Sequence, residues 1–115
     1  MKTCITFNVE ASLPTLDEAR KLISAQIKNA RSEGITVLKI IHGYGSSGKG
    51  GALCTGLRKS FGLRKKEGVI KDFISGEDFS IFNSATLDLL EAVPEMRRDP
   101  DLNSLNEGIT VIWIG

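Results

Sequence analysis

The sequence predicts an α/β fold in which a mixed four-stranded sheet and two crossover helices form a two-layer α+β sandwich. Strand-like and helix-like patterns alternate in the order βαβα, and two further strands follow, which is typical of crossover connections. The chain has 115 residues, of which 41% are hydrophobic and 25% are charged. This length and composition suit one globular domain over residues 1–115 and argue against disorder of the whole chain.

The first part of the chain predicts two strands joined by a helix. Residues 3–9 alternate in the manner of a strand, and residues 35–41 are mostly apolar, as in a strand covered on both faces. Between them, Thr15 and Glu18 form a capping-box pattern that predicts a helix start, and Gly34 is placed to end that helix. The apolar face of this helix has spacings of three and four: Leu16, Ala19, Ile23, Ile27 and Ala30.

The second part predicts a basic helix, two strands and an insertion between those strands. The basic helix has apolar residues at every fourth position, Leu53, Leu57 and Phe61, and Gly68 is placed to end it. Residues 69–74 predict the third strand, and the β-branched residues 108–114 predict the last one. The acidic insertion covers about residues 76–107. We expect a short helix over residues 84–93 of it and an irregular loop over residues 94–106.

The small net charge of +1 conceals a strong asymmetry along the chain. Residues 1–75 contain thirteen Lys/Arg and six Asp/Glu, whereas residues 76–115 contain two and eight. This predicts a basic surface for a polyanion beside an acidic insertion, although two solvated faces would give the same counts. No apolar run approaches the roughly 18 residues of a membrane span, and the start has no signal-peptide core. We therefore expect a cytoplasmic protein without a membrane partner.

The most informative stretch is the glycine-rich segment from Ile41 to Gly50, which contains the only histidine. A glycine loop between a strand and a helix turns free backbone amides toward one point and suits a phosphate. The spacing Gly43-x-Gly45-x-x-Gly48 matches a dinucleotide fingerprint, but it follows the second strand, and the chain is too short for two mononucleotide-binding halves. The loop also matches most of a P-loop. There, however, Gly50 replaces the hydroxyl residue that holds Mg²⁺.

These departures argue against a nucleotide enzyme, so we expect no cofactor. The two cysteines, Cys4 and Cys54, form neither a CxxC pair nor a Cys/His cluster with zinc spacing. We therefore expect two small buried or half-buried thiols and no metal site.

A third interpretation of the loop comes from its neighbours in the sequence. Ile40-Ile41-His42-Gly43-Tyr44-Gly45, a short glycine-rich stretch and then Leu57-Arg58 resemble the HGxG…LR signature of the Smr (small MutS-related) domain. The resemblance extends to residues 15–19 and 108–111, whereas residues 75–107 look like an insertion longer than the family's usual hairpin connection. It implies a βαβαββ fold similar to the C-terminal domain of bacterial translation initiation factor 3.

The resemblance also implies a function and a set of site residues. Smr domains bind DNA or RNA, and several members, related to MutS2-type proteins, are DNA-nicking or RNA-cleaving endonucleases. The implied catalytic residue is His42. We expect nucleic-acid contacts from Gly43, Gly45, Lys49 and Arg58, and from Asn8 through its side-chain amide. Each charged residue has a plainer alternative: Lys49 as a solvated loop charge, Arg58 as a structural ion pair, and His42 as a hydrogen-bonded structural residue.

The first strand departs from the family. Where the family has an LDxHG-type motif, this chain reads Ile5-Thr6-Phe7-Asn8-Val9. Thr6 and Asn8 can hydrogen-bond a phosphate, but neither can act as a general base or supply the charge that holds a divalent metal. Glu10 is the nearest carboxylate, and continued alternation would place it on the face of Asn8.

The retained HGxG loop and the basic second helix predict nucleic-acid binding. The departures in the first strand predict that cleavage is weakened or lost. One alternative is a catalytically inactive protein-interaction or regulatory module, in which the acidic insertion forms a lid over the former nucleic-acid site. A further alternative is a small phosphorylated metabolite bound in the glycine loop.

Overall fold

A computed structural model of the chain describes residues 3–43 and 49–115. The four strands are β1 (Cys4–Asn8), β2 (Val37–Ile41), β3 (Asp72–Ser75) and β4 (Ile109–Trp113), and their order in the sheet is β1-β2-β4-β3. The three α-helices are α1 (Leu16–Ser32), α2 (Lys49–Lys66) and α3 (Ser84–Ala92). Strand β1 is parallel to β2, and β4 is antiparallel to both β2 and β3. The first three strands are therefore mutually parallel, and their carboxyl ends share one edge of the sheet.

Both faces of the sheet are covered. One face packs against α1 and α2, and its buried cluster includes Ile23, Ile27, Leu38, Ile40, Leu57, Phe61 and Ile112. The other face packs against α3 and a 3₁₀ turn at Pro94–Arg98, and its cluster includes Val37, Phe79, Leu89, Met96, Val111 and Trp113. The mixed four-stranded sheet with two crossover helices is confirmed. The insertion adds a third layer that the sequence patterns did not predict.

The helix ends follow the predicted local signals. Thr15 Oγ1 accepts a hydrogen bond from Glu18 N at 3.2 Å, and Glu18 Oε1 accepts one from Thr15 N at 3.0 Å, so the capping box is present. Gly34 and Gly68 have φ values of +73° and +76° just after α1 and α2. Strand β3 starts later than predicted because Val69 N donates back to the carbonyl of Arg64 and closes the helix. No helix in the described ranges is long and apolar enough to cross a membrane.

A buried ion cluster attaches the insertion to the sheet. Lys39 lies on the insertion face of β2, is 7% exposed, and its Nζ lies 2.8 Å from Asp99 Oδ1 and 2.7 Å from Asp101 Oδ2. Burial alone lowers the pKa of Lys39, but hydrogen bonds to Asp101 and Asp99 raise it above its ordinary value. The ammonium group therefore stays charged and holds residues 99–101 on the face opposite α1 and α2.

The ion cluster gives a stability prediction. We expect Lys39→Met to lower the free energy of unfolding by about 2 kcal/mol, because it leaves two carboxylates without their counter-ion in a largely dry site. Urea unfolding measures the change. The control is Lys39→Met combined with Asp99→Asn and Asp101→Asn, which removes the charges together and should lose less stability than Lys39→Met alone. Lys39→Met with wild-type stability would contradict this assignment.

A matched pair of glycine substitutions tests how closely the two ends of the insertion, at Gly76 and Asn106, pack against each other. A Cβ on Gly76 would lie 1.8 Å from the backbone oxygen of Asn106, whereas a Cβ on Gly62 in α2 would meet nothing within 4 Å. We expect Gly76→Ala to destabilise the fold by about 2 kcal/mol or more through backbone displacement. Gly62→Ala should stabilise it by roughly 0.5 kcal/mol, since alanine favours a helix interior. Equal urea midpoints for the two variants would show that the close approach is not present.

Candidate nucleic-acid interface

The candidate site lies at the edge of the sheet where the parallel strands end. His42 and Gly43 follow β2, Glu77 follows β3 in a 3₁₀ turn at Gly76–Asp78, and α2 begins there at Lys49. The carbonyl of Gly108, just before β4, accepts hydrogen bonds from His42 N at 2.9 Å and Gly43 N at 3.0 Å. Segments distant in the sequence thus meet at this edge, which is a common place for ligand sites in α/β folds.

His42 is fully buried and hydrogen-bonded through both ring nitrogens. Its Nδ1 lies 2.6 Å from the carbonyl oxygen of Gly43, and its Nε2 lies 2.8 Å from Thr110 Oγ1. A carbonyl only accepts, so we assign the proton of the neutral ring to Nδ1, and Nε2 then accepts from the Thr110 hydroxyl. The ring is therefore held in one tautomer with no ring nitrogen facing solvent.

The environment of His42 favours the neutral ring. Burial lowers its pKa below the ordinary value of 6.5, and the nearby positive charge of Arg58 lowers it further. The Gly43 carbonyl and the charges of Glu77 and Glu10 oppose this shift without reversing it. At neutral pH the ring is consequently an uncharged acceptor for Thr110.

Arg58 is held by the insertion and by β4. Its Nη1 and Nη2 donate to the two carboxylate oxygens of Glu77 at 2.9 and 2.8 Å, and its Nε donates more weakly to Thr110 Oγ1 at 3.4 Å. Nη2 also donates to the carbonyls of Glu107 and Ile109, each at 3.2 Å. Burial alone would raise the pKa of Glu77, but the hydrogen bonds from Arg58 lower it below its usual range. Arg58 is therefore engaged in a bidentate ion pair, as its structural alternative predicts.

The hydrogen bonds of Arg58, Thr110, His42 and Gly43 run in one direction. Arg58 donates to Thr110, Thr110 donates to His42, and His42 donates to the Gly43 carbonyl. Each group in this chain accepts a hydrogen bond from the preceding group and donates one to the next. The chain therefore fixes the orientation of the Thr110 hydroxyl group as well as the tautomer of His42. The start of the glycine loop is thereby tied to α2 and β4.

Glu10 lies against the start of the glycine loop. A Cβ on Gly43 would lie 2.7 Å from Glu10 Oε2, so the carboxylate occupies the space beside this glycine. The expectation that alternation continues to Glu10 is wrong, because β1 ends at Asn8 and Glu10 begins a 3₁₀ turn at Glu10–Ser12. The turn, and not the strand, directs this carboxylate to the edge near His42.

The remaining predicted contacts are Asn8, Gly45 and Lys49. Asn8 pairs with Ile41 in the sheet register, which places it on the face opposite His42, and its Oδ1 accepts a hydrogen bond from Ala11 N at 3.0 Å. Gly45 lies outside the described residues. Lys49 begins α2, but its side chain is not among those described. The binding roles of Asn8, Gly45 and Lys49, and the catalytic role of His42, stay predictions.

Sequence reasoning missed two members of the site. Thr110 is the one polar residue within β4, and it is completely buried. A hydroxyl group inside a β-branched, fully buried strand requires a hydrogen-bond partner. The sequence alone could therefore have identified Thr110 as a candidate member of the site. Glu77 was counted among the acidic residues of the insertion, but its pairing with Arg58 depends on the return of the chain to the sheet.

No group of three or more His, Cys, Asp or Glu side chains that could hold a metal occurs within residues 3–43 and 49–115. Cys4 and Cys54 are unpaired thiols, half-buried and buried respectively, and burial raises the pKa of each. Neither thiol is therefore a ready nucleophile at neutral pH.

The single histidine makes the site testable by pH. The folded pKa of His42 is lowered, so the unfolded chain binds more protons below the ordinary value of 6.5 and the fold loses stability there. We expect the free energy of unfolding to fall between about pH 7 and about pH 5.5, by at most about 1.4 kcal/mol per pH unit. Urea unfolding at several pH values measures this. His42→Gln should lack the dependence, and a ring pKa above 6.5 by NMR would contradict the assignment.

Similarity to known proteins agrees with this architecture. A model of the Smr domain matches residues 13–79. The crystal structure of the Smr domain of Thermus thermophilus MutS2 aligns with a TM-score of 0.57 and 18% identity, covering 100% of this chain and 99% of that one, which shows a shared fold. No curated protein matches the chain significantly. Because the Smr model matches more than half of the 115 residues, the chain belongs to the Smr domain family of nucleic-acid-binding and endonuclease-related domains.

Proposed function

We propose that this Smr domain binds the phosphate backbone of DNA or RNA and does not cut it. Membership of the Smr family supports binding, and the basic character of residues 1–75, with thirteen Lys/Arg against six Asp/Glu, supports an anionic partner. The proposed contacts at the His42 edge are the amides of the glycine loop, the amino-terminal end of α2 and Lys49. Those groups position a backbone and carry no base specificity.

The burial of His42 is the observation that supports loss of cleavage. A general base must reach the proton that it removes, directly or through one water. His42 has a relative exposure of 0%, and both its ring nitrogens are bonded inside the protein. The first strand offers Thr6 and Asn8 in place of the family's acidic and histidine pair, so no replacement base stands on that strand.

The ion pair between Glu77 and Arg58 favours the acidic-lid alternative. The greater part of the insertion packs on the sheet face opposite α1 and α2, where Lys39 holds Asp99 and Asp101. An insertion attached in this way leaves most of the basic helical surface uncovered. We therefore prefer nucleic-acid binding to a purely regulatory role.

Fluorescence anisotropy with single-stranded RNA, single-stranded DNA and duplex DNA of about 12 nucleotides per strand tests this proposal. We expect binding at low salt that weakens steeply between about 50 and about 200 mM salt. Lys49→Gln should weaken binding to all three oligonucleotides and reduce the salt slope by about 1. The control is Arg97→Gln, which makes the same charge change in the turn on the opposite face of the sheet. No binding by the wild-type protein, or binding without salt dependence, would overturn the proposal.

A nicking assay on supercoiled plasmid and on structured RNA, with Mg²⁺ and with Mn²⁺, tests the absence of cleavage. We expect no product from the wild-type protein beyond that from the His42→Gln protein. Cleavage by the wild type that disappears in His42→Gln would show that the buried ring becomes accessible and acts in catalysis.

A further inference from the structure

A groove open to solvent lies between α1 and α2, far from His42. It is lined by Ser24, Ile27, Lys28, Arg31, Arg64 and Val69. Half of these residues are cationic and none is acidic. Lys28 and Arg31 are exposed, Arg64 is half-buried, and Ile27 forms part of the buried core beneath them.

In the described part of the chain, none of the three cations of the groove forms an ion pair within 4 Å of a carboxylate. Within the described ranges, the ion pairs closer than 4 Å involve other cations, such as Arg20 with Asp17 and Lys65 with Asp72. Arg64 donates to two neutral oxygens of α1, the Arg20 carbonyl and Ser24 Oγ, each at 3.1 Å. Arg31 donates to the carbonyl of Val69. These hydrogen bonds orient the guanidinium groups through neutral acceptors.

The orientation leaves donors available for a ligand. Arg64 uses Nη2 for both of these hydrogen bonds. The N–H groups of Nε and Nη1 lie in the same rigid plane and can donate to a ligand. Burial, and then the like charge of Arg20, lower the pKa of Arg64 below its ordinary value, and the negative charge of Glu67 opposes this shift without reversing it. An anion in the groove would relieve that repulsion, and the planar guanidinium matches the paired oxygens of a phosphate.

Cations near a helix end also stabilise the helix dipole, and this ordinary role explains only part of the cluster. Arg31 fits it, because Arg31 lies in the last turn of α1 and bonds a carbonyl beyond the end of α2. Arg64 also lies in the last turn of its own helix, but its hydrogen bonds go to α1. Lys28 lies three residues before Arg31, outside the last turn of α1. The helix dipoles do not account for the convergence of cations from both helices on one groove.

We propose that Lys28, Arg31 and Arg64 form a second phosphate site, which holds the backbone of the same nucleic acid that contacts the His42 edge; this inference rests on the proposed function. Lys49 and Arg64 are fifteen residues apart on α2, or roughly 22 Å along a helix. A duplex of about 12 base pairs is roughly 40 Å long and can reach both ends of α2. The ligand is thus a backbone spanning the helical layer, in contrast to a single small phosphate.

The test compares two double variants with equal loss of charge. Lys28→Gln/Arg31→Gln removes two cations from the groove, and Arg97→Gln/Arg98→Gln removes two from the turn on the opposite sheet face. We expect the groove variant to bind a 12-base-pair duplex roughly tenfold more weakly at low salt, with a salt slope reduced by about 2. The control variant should change affinity less than about twofold. Urea midpoints establish that both variants are folded.

The outcomes separate this inference from the proposed function. Wild-type protein that binds no oligonucleotide refutes the proposed function itself. Wild-type binding with equal affinities for the groove and control variants refutes the groove alone. In a parallel arm, inorganic phosphate and a mononucleotide are added in thermal-shift measurements. Stabilisation that the groove variant abolishes, with oligonucleotide binding unchanged, would make the groove a small-anion site and overturn the proposal.

Discussion

The hydrogen-bonded chain from Arg58 through Thr110 to His42 is the interaction on which the rest of the site depends. It begins at the ion pair with Glu77 and ends at the carbonyl of Gly43, and it thereby joins α2, β4, the end of β2 and the start of the insertion. Buried polar groups are costly unless every member is satisfied. Loss of one member leaves the others unpaired, so these elements are expected to hold their positions together.

The same sheet keeps the basic and acidic parts of the molecule apart. Residues that alternate along β2 and β4 face different layers: Thr110 lies with His42 on the side of α1 and α2, whereas Lys39 lies on the side of the insertion. Lys39 then binds Asp99 and Asp101 on that side. Successive side chains of a strand point to opposite faces of the sheet. Lys39, which anchors the acidic insertion, is therefore separated from the basic surface of α1 and α2.

Local signals in the sequence were sufficient for the elements that they control. The capping box of Thr15 and Glu18 marked the start of α1, and Gly34 and Gly68 marked the ends of α1 and α2. These signals work because each involves backbone groups within a few residues of one another. The composition of the insertion likewise predicted its short helix α3.

Contacts between segments that are distant in the sequence could not be predicted from such local signals. The acidic residues of the insertion suggested a lid, but their partners depend on which sheet face the chain returns to. Glu77 pairs with Arg58 across 19 positions, and Asp101 pairs with Lys39 across 62. The groove cations are similar, because Lys28 and Arg64 meet only through the packing of α1 beside α2. Predicting them requires the crossing of the two helices, which the apolar spacing alone does not specify.

The distribution of free charge decides where a polyanion is attracted. At the His42 edge, Arg58 is paired with Glu77, the histidine is neutral, and the carboxylate of Glu10 stands beside Gly43. Amides there can orient a phosphate, but these side chains add little net positive charge. At the other end of α2, Arg31 and Arg64 donate hydrogen bonds to neutral acceptors. Salt screens charges beyond about 8 Å under physiological conditions, so the two ends attract an anion independently. In the proposed binding mode, the groove therefore adds attraction for the backbone at one end of α2, and the glycine loop orients the backbone at the other.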